Sequence, residues 1–129
     1  MRQHPKALAL EYLEAVNQRR FDKLEALLAP DLKCTGPSIT RFSAGEFIAA
    51  LKRLTAIHVR NDVKRVFSDG DDVCIIYDFV TDTPAGALPT IEWLRFEQGR
   101  IRAIRLYYDR LPWKMVIDEV MQRASSPSA

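Results

Sequence analysis

Near Val59 the apolar residues of this chain stop recurring at helical spacing and begin to alternate, which divides the sequence into a helical front and a sheet-forming back. Ahead of that point Ala9, Tyr12, Leu13 and Val16 fall at i, i+3, i+4 and i+7 behind Pro5, a favourable first-turn residue, and predict an amphipathic helix. Arg19 and Arg20 suit its C-terminus. Asp22 and Glu25 have the spacing of a capping box for a second, shorter helix carrying Leu24, Leu27 and Leu28 and stopped by Pro30. A short strand is expected around Leu32 to Thr35. Ser43 and Glu46 then cap a third helix on which Phe47, Ala50, Leu51 and Leu54 share a stripe.

Behind the switch, Val59, Val63 and Phe67 alternate with Arg60, Asp62, Lys64 and Ser68, which describes a strand wet on one face. Ser68-Asp69-Gly70-Asp71 reverses the chain. Val73 to Val80 is apolar on both faces apart from Asp78, so it is expected to lie centrally and be covered on both sides. Thr90 to Phe96 and Ile101 to Tyr108 are two more strands, joined through Gln98-Gly99 as a hairpin. From Pro112, Trp113, Val116, Ile117 and Val120 form a last helical stripe, and residues 125–129 read as a loose, disordered tail. The pattern is α+β: a curved, largely antiparallel sheet covered by N-terminal helices, with a C-terminal helix. Strands this long twist and curl, and a curled sheet closed by helices leaves a cavity.

Composition removes several classes of function. The 129 residues suffice for one core and one domain. The 19 basic and 17 acidic residues nearly balance, and no basic cluster with interleaved aromatics could track a phosphate backbone, so nucleic acid is not an expected partner. No apolar run approaches the roughly 20 residues of a membrane span. The segment from Met1 to Pro5 lacks a signal-like apolar stretch, and a cytoplasmic protein is expected. Cys34 and Cys74 lie in separate apolar segments outside any CxxC or Cys/His cluster and read as reduced core thiols. With only His4 and His58 as imidazoles, no metal site is expected, and without a Gly-rich phosphate loop, a G-x-S-x-G elbow or an H-E-x-x-H helix no cofactor is implied.

The chemistry rests on a few residues. Tyr12 lies on the apolar stripe of the first helix, where a buried hydroxyl must find a partner. Glu92 shares strand parity with Leu94 and Phe96 and should face the core, where a carboxyl tends to stay protonated and can donate a hydrogen bond. Together they could form an oxyanion hole. The plainer alternatives are a core tyrosine and a Glu92–Arg105 pair. Asp78, with the parity of Cys74, Ile76 and Val80, could serve as a base if that face lines the cavity, or belong to a structural hydrogen-bond network. Cys34 has the parity of Leu32 and Gly36 and could face the cavity as an unactivated thiol. His58, just past the third helix, could be a base, or make a cation–dipole contact with the helix C-terminus. Asp31 and Asp109 read as structural.

At this level the chain resembles the nuclear transport factor 2-like superfamily, SnoaL-like proteins included. The segment Glu11 to Asp31 is similar to the family's opening, and Ile91-Glu92-Trp93-Leu94-Arg95-Phe96 with Gly99-Arg100-Ile101 to its closing hairpin. The resemblance implies a cone-shaped α+β barrel, a single SnoaL-like domain over residues 1–124, and a homodimer through the outer sheet face, where Trp93, Arg105 and Tyr107 lie. Locally the chain is similar to ketosteroid isomerases, with Tyr12 at the position of their tyrosine and Glu92 at that of their protonated acid. Gly36, ahead of Pro37, stands where those enzymes carry the proton-transferring aspartate. In the superfamily's epoxide hydrolases the last-strand aspartate corresponds to Leu106. The implied function is a hydrophobic pocket for a small carbonyl compound, lined by Cys34, Gly36, Leu94 and Leu106. It would serve a cofactor-free isomerase, cyclase or lyase with Tyr12, Glu92 and Asp78 as catalytic groups, or a non-catalytic binding or dimerisation module.

Overall fold

The helical front of the chain folds into three helices, and its alternating back supplies the long strands of a curved, mixed sheet. In the computed structural model, which describes residues 4–125, the order is α1 (Pro5–Asn17), α2 (Phe21–Leu27), β1 (Leu28–Thr35), β2 (Thr40–Arg41), α3 (Ala44–Leu54), β3 (His58–Asp69), β4 (Asp72–Thr81), β5 (Ala87–Glu97), β6 (Arg100–Tyr108) and α4 (Arg110–Ser125). The tail expected over 125–129 lies outside the described residues except for Ser125, which ends α4. Among the described residues no helix is long and apolar enough to cross a membrane.

The six strands run in the order β2-β1-β6-β5-β4-β3. Every pairing is antiparallel except β1 with β6, which is parallel. The sheet is therefore not closed and has two free edges, and helices α1 to α3 pack over one of its faces. Each does so with an apolar side. Helix α1 buries Leu8, Ala9, Tyr12, Leu13 and Ala15, while α3 buries Ala44 and Phe47. Each large apolar side chain removed from water contributes about 1.5–3 kcal/mol. From the sheet come Val73, Ile75, Leu94, Phe96, Ile101 and Ile104, and these make one core with the helical residues.

Local signals act largely as expected. Ser43 Oγ accepts the Glu46 backbone N–H at 3.1 Å, and the Glu46 carboxylate accepts the Phe42 N–H at 3.2 Å, one residue ahead of the usual capping-box partner. At the β5–β6 turn, Gln98 and Gly99 both have positive φ (53° and 78°), the geometry that lets a two-residue hairpin follow the strand twist.

Four local readings need correction. Asp22 and Glu25 form no capping box: Arg20 is the N-cap of α2 without a side-chain cap bond, and Asp22 pairs with Arg20 instead. Nor does Pro30 stop α2, which ends at Leu27, because the chain enters β1 at Leu28 and Pro30 lies within that strand. In β3 the alternation is broken by bulges between His58 and Arg60 and between Val63 and Arg65. A bulge's extra residue reverses side-chain parity, so Val63 comes opposite Tyr77 while Phe67 comes opposite Cys74. Cys74 is half-buried on the open face of the sheet and is not a core thiol.

Candidate functional site

Strand parity decides what faces the helices. On β5 the buried positions are Leu88, Thr90, Glu92, Leu94 and Phe96, so Glu92 points inward with the apolar residues. On β4 they are Val73, Ile75, Tyr77, Phe79 and Thr81. Glu92 lies opposite Ile75 and Tyr77 opposite Thr90, which leaves Tyr77 and Glu92 diagonal neighbours on one face. Across the core, α1 brings Tyr12 to the same carboxyl.

The result is a buried trio. Tyr12 donates its hydroxyl to Glu92 Oε1 at 2.8 Å, and Tyr77 donates to Glu92 Oε2. All three residues are almost wholly removed from solvent. Burial pushes the Glu92 carboxyl above the ordinary carboxylate range, and the two hydroxyl bonds oppose that shift without cancelling it. Burial, followed by the neighbouring Glu92 charge, holds both tyrosines well above the usual phenol value.

A count of protons defines what the trio can do. With Glu92 ionised, the two phenol protons are both spent on the carboxylate and none is left for a guest. Once Glu92 is protonated, three protons serve the same two contacts and one is free to be donated outward. Protonation, which burial favours, turns a closed cluster into a donor.

The trio forms the floor of a cavity of about 920 Å³. Its walls are mostly apolar, with Val16, Phe47, Leu51, Leu54 and Leu106 among the lining residues, and it rises to exposed Leu111, Ile117 and Met121 of α4. One side is aromatic, where Trp113 packs against Phe79 and Tyr108 at centroid separations of 5.0 and 5.2 Å. Helix α4 is held over the opening by fully buried Val116 and by Arg123, which donates to the Ala56 carbonyl and pairs with Asp82. Asn61 adds a polar wall position, fixed by His58 at 3.0 Å and by its own N–H donated to Asn17 Oδ1 at 2.8 Å.

The structure brings Tyr12, Glu92 and Leu106 to this cavity and separates the other expected residues from it. Asp78 faces the opposite, open side of the sheet, half-exposed and 3.6 Å from Lys64, because the inward parity of β4 belongs to Tyr77. It cannot reach a guest in the cavity. Cys34 and Leu94 are fully buried core residues, and Gly36 packs under Leu106 and Tyr108, so none of these three lines the cavity. Burial pushes the Cys34 thiol up to about 12, with the Glu92 charge acting in the same direction. Arg105 is no partner for Glu92. Its guanidinium lies over Trp93 on the open face, 5.6 Å from the ring centroid.

His58 is likewise not a cation at a helix end. It is the buried first residue of β3, stacked on Phe79 with its ring bonded to Asn61, and burial lowers its pKa. Asp109 accepts the Leu111 N–H at the start of α4, and Asp31 pairs with Arg102, both structural arrangements. Tyr77 is one of the site residues that the sequence did not single out. Its signal was present, since it alternates with Val73, Ile75 and Phe79, the other parity of the strand that holds Asp78.

The helices and mixed sheet are those of a known family of domains. The model of the SnoaL-like domain family matches residues 9–104, and the chain belongs to that family. No curated protein matches it. Among solved structures, a nuclear transport factor 2-like protein of unknown function from Cytophaga hutchinsonii superposes with a TM-score of 0.76 at 22% identity, over 88% of this chain and 97% of that one. A candidate ketosteroid isomerase from Kribbella flavida gives 0.72 at 19%, over 81% and 77%. IdmH of Streptomyces antibioticus, a candidate polyketide cyclase, gives 0.76 at 16%, over 90% and 99%. At these identities the likeness is one of fold.

Proposed function

We propose that the protein takes up a small, largely apolar carbonyl compound and polarises its oxygen through the Tyr12–Glu92–Tyr77 trio. The observation that carries this reading is the buried carboxyl between two phenols at the floor of an apolar cavity. In such a site a hydrogen bond to a developing oxyanion is worth far more than in water. The chemistry it would favour is enolisation or its intramolecular equivalents, in an isomerase, cyclase or lyase.

A second reading, binding without reaction, is favoured by Gly36, which offers no proton acceptor where the resembling isomerases have one. Beyond Glu92, the carboxylates along the cavity are Asp109, engaged at the start of α4, and Asp118 near its mouth.

Two measurements with 2-tetralone separate these readings. The bound ketone, ¹³C-labelled at its carbonyl, should absorb at lower frequency than in alkane, with part of the shift lost in Tyr77→Phe. An alkane-like band, or no bound ketone, overturns the polarisation. Exchange of its α-protons in D₂O, accelerated by the protein, supports catalysis; bound ketone with exchange at the buffer rate supports binding alone.

A further inference from the structure

Most of the buried polar side chains are satisfied within the protein. Thr81 and Thr83 bond to each other, Thr90 donates to the Leu88 carbonyl, and Glu92 is held by the two tyrosines. Asn61 is the exception. It is only 7% exposed, its backbone N–H goes to Asn17 Oδ1 and its Oδ1 lies 3.0 Å from His58 Nε2, but its side-chain NH₂ finds no partner among the described residues. Burial favours the neutral His58 ring, whose single proton serves the Asn61 oxygen when it sits on Nε2. The amide is thereby fixed with its oxygen on the histidine and its two N–H donors turned away from it. Unlike Arg41 Nε and Trp113 Nε1, which the packing seals, the NH₂ keeps access to the cavity that Asn61 lines.

A bulge puts the amide there. His58 and Asn61 are three positions apart, which a regular strand would send to opposite faces, and the irregularity between His58 and Arg60 turns both inward. Asn61 lies opposite Phe79 and Val63 opposite Tyr77, so Asn61 and Tyr77 are diagonal neighbours on the inner face. Such positions stand about 7–8 Å apart at the backbone. The amide is therefore beside the trio, on the adjoining strand, and not part of it. A wholly apolar guest would cover these N–H groups and strand them, so the wall discriminates in favour of a guest with an acceptor at this point.

We infer that the natural guest carries a second acceptor oxygen, several carbons from its polarised carbonyl, and that the Asn61 amide selects it. This rests on the function proposed above and narrows it to dioxygenated apolar compounds.

The test compares 2-nonanone with nonane-2,5-dione, nonane-2,6-dione and nonane-2,8-dione by calorimetry. At least one dione should bind about two- to tenfold more tightly than the ketone, the gain of one neutral hydrogen bond. Asn61→Asp keeps the oxygen that faces His58 and replaces the donor, so it should abolish the preference while ketone affinity persists. A second readout needs no change at Asn61. The chain has two asparagines, Asn17 and Asn61, so ¹⁵N-asparagine labelling gives two side-chain amide pairs, which Asn17→Asp assigns. The preferred dione should move an Asn61 amide proton downfield, where the ketone leaves it in place. Diones that all bind no better than the ketone, an Asn61 amide that none of them moves, or equal losses of both probes in Asn61→Asp overturn the inference and leave the carbonyl pocket standing. Binding of no probe overturns both.

Discussion

The Tyr12 hydroxyl lies 2.8 Å from Glu92 Oε1 although 80 positions separate the two residues, so one hydrogen bond ties the first helix to the fifth strand at the cavity floor. Tyr77 closes the cluster from the neighbouring strand. Stability, ligand uptake and pH response are therefore expected to meet at one carboxyl.

Glu92→Gln should stabilise the protein increasingly as pH rises. The Glu92 pKa is raised above its ordinary 4.5 in the folded state, so its contribution is fully present below that value and is lost as pH rises through the folded pKa. Glutamine mimics the protonated acid, accepting from one phenol and donating to the other, and carries no charge to desolvate. Melting temperatures across pH 4–9, taken as about the range that brackets an elevated carboxyl, should diverge upward for the variant. Glu92→Leu should instead lose about 1–3 kcal/mol for each stranded hydroxyl.

Tyr77→Phe removes one of the two bonds that favour the Glu92 anion, so the carboxyl should titrate still higher. A ¹³C-labelled Glu92 Cδ resonance reads this directly, with Tyr12→Phe expected to act in the same direction.

His58 gives the opposite pH signature. Its folded pKa is lowered from 6.5 by burial, so the folded state resists protonation, and the stability present above that value is lost as pH falls through the folded pKa. In denaturant titrations His58→Gln should flatten this acid-side decline without touching the alkaline trend set by Glu92.

Gly36 tests whether a carboxylate can stand at this point of the fold. A Cβ there would stand 3.2 Å from Leu106 Cβ and 3.3 Å from the Tyr108 ring. Gly36→Ala should therefore cost about 1–3 kcal/mol by overpacking, seen as a lower denaturation midpoint, and Gly36→Asp should cost more.

The open sheet face carries exposed Ile91, Trp93 and Tyr107, with Ile91 and Tyr107 directly opposite each other. Self-association through this face is the expected outcome. Trp93→Glu, which keeps the cavity intact, should shift sedimentation toward the monomer; an unchanged mass would place any contact elsewhere.

Much of this protein could be read locally. Helix α3 follows from Ser43 and Glu46 because a cap acts within one turn, and the β5–β6 hairpin follows from Gln98-Gly99 because a turn involves only its own backbone. The inward face of β5 was legible because Glu92 alternates with Leu94 and Phe96 against the exposed Trp93 and Arg95.

Strand β4 is apolar on both sides: parity groups Asp78 with Cys74 and separates it from Tyr77, but does not say which group the helices cover. That depends on where α1 to α3 dock, a sum of contacts distant in sequence, and it turned Asp78 outward and Tyr77 inward. The bulges of β3 and the lining role of Asn61 have the same origin. Sequence alone set the elements and the alternation within them, because those forces act between near neighbours. Tertiary packing decided which side chains share the cavity, because burial and hydrogen-bond satisfaction are properties of the closed fold.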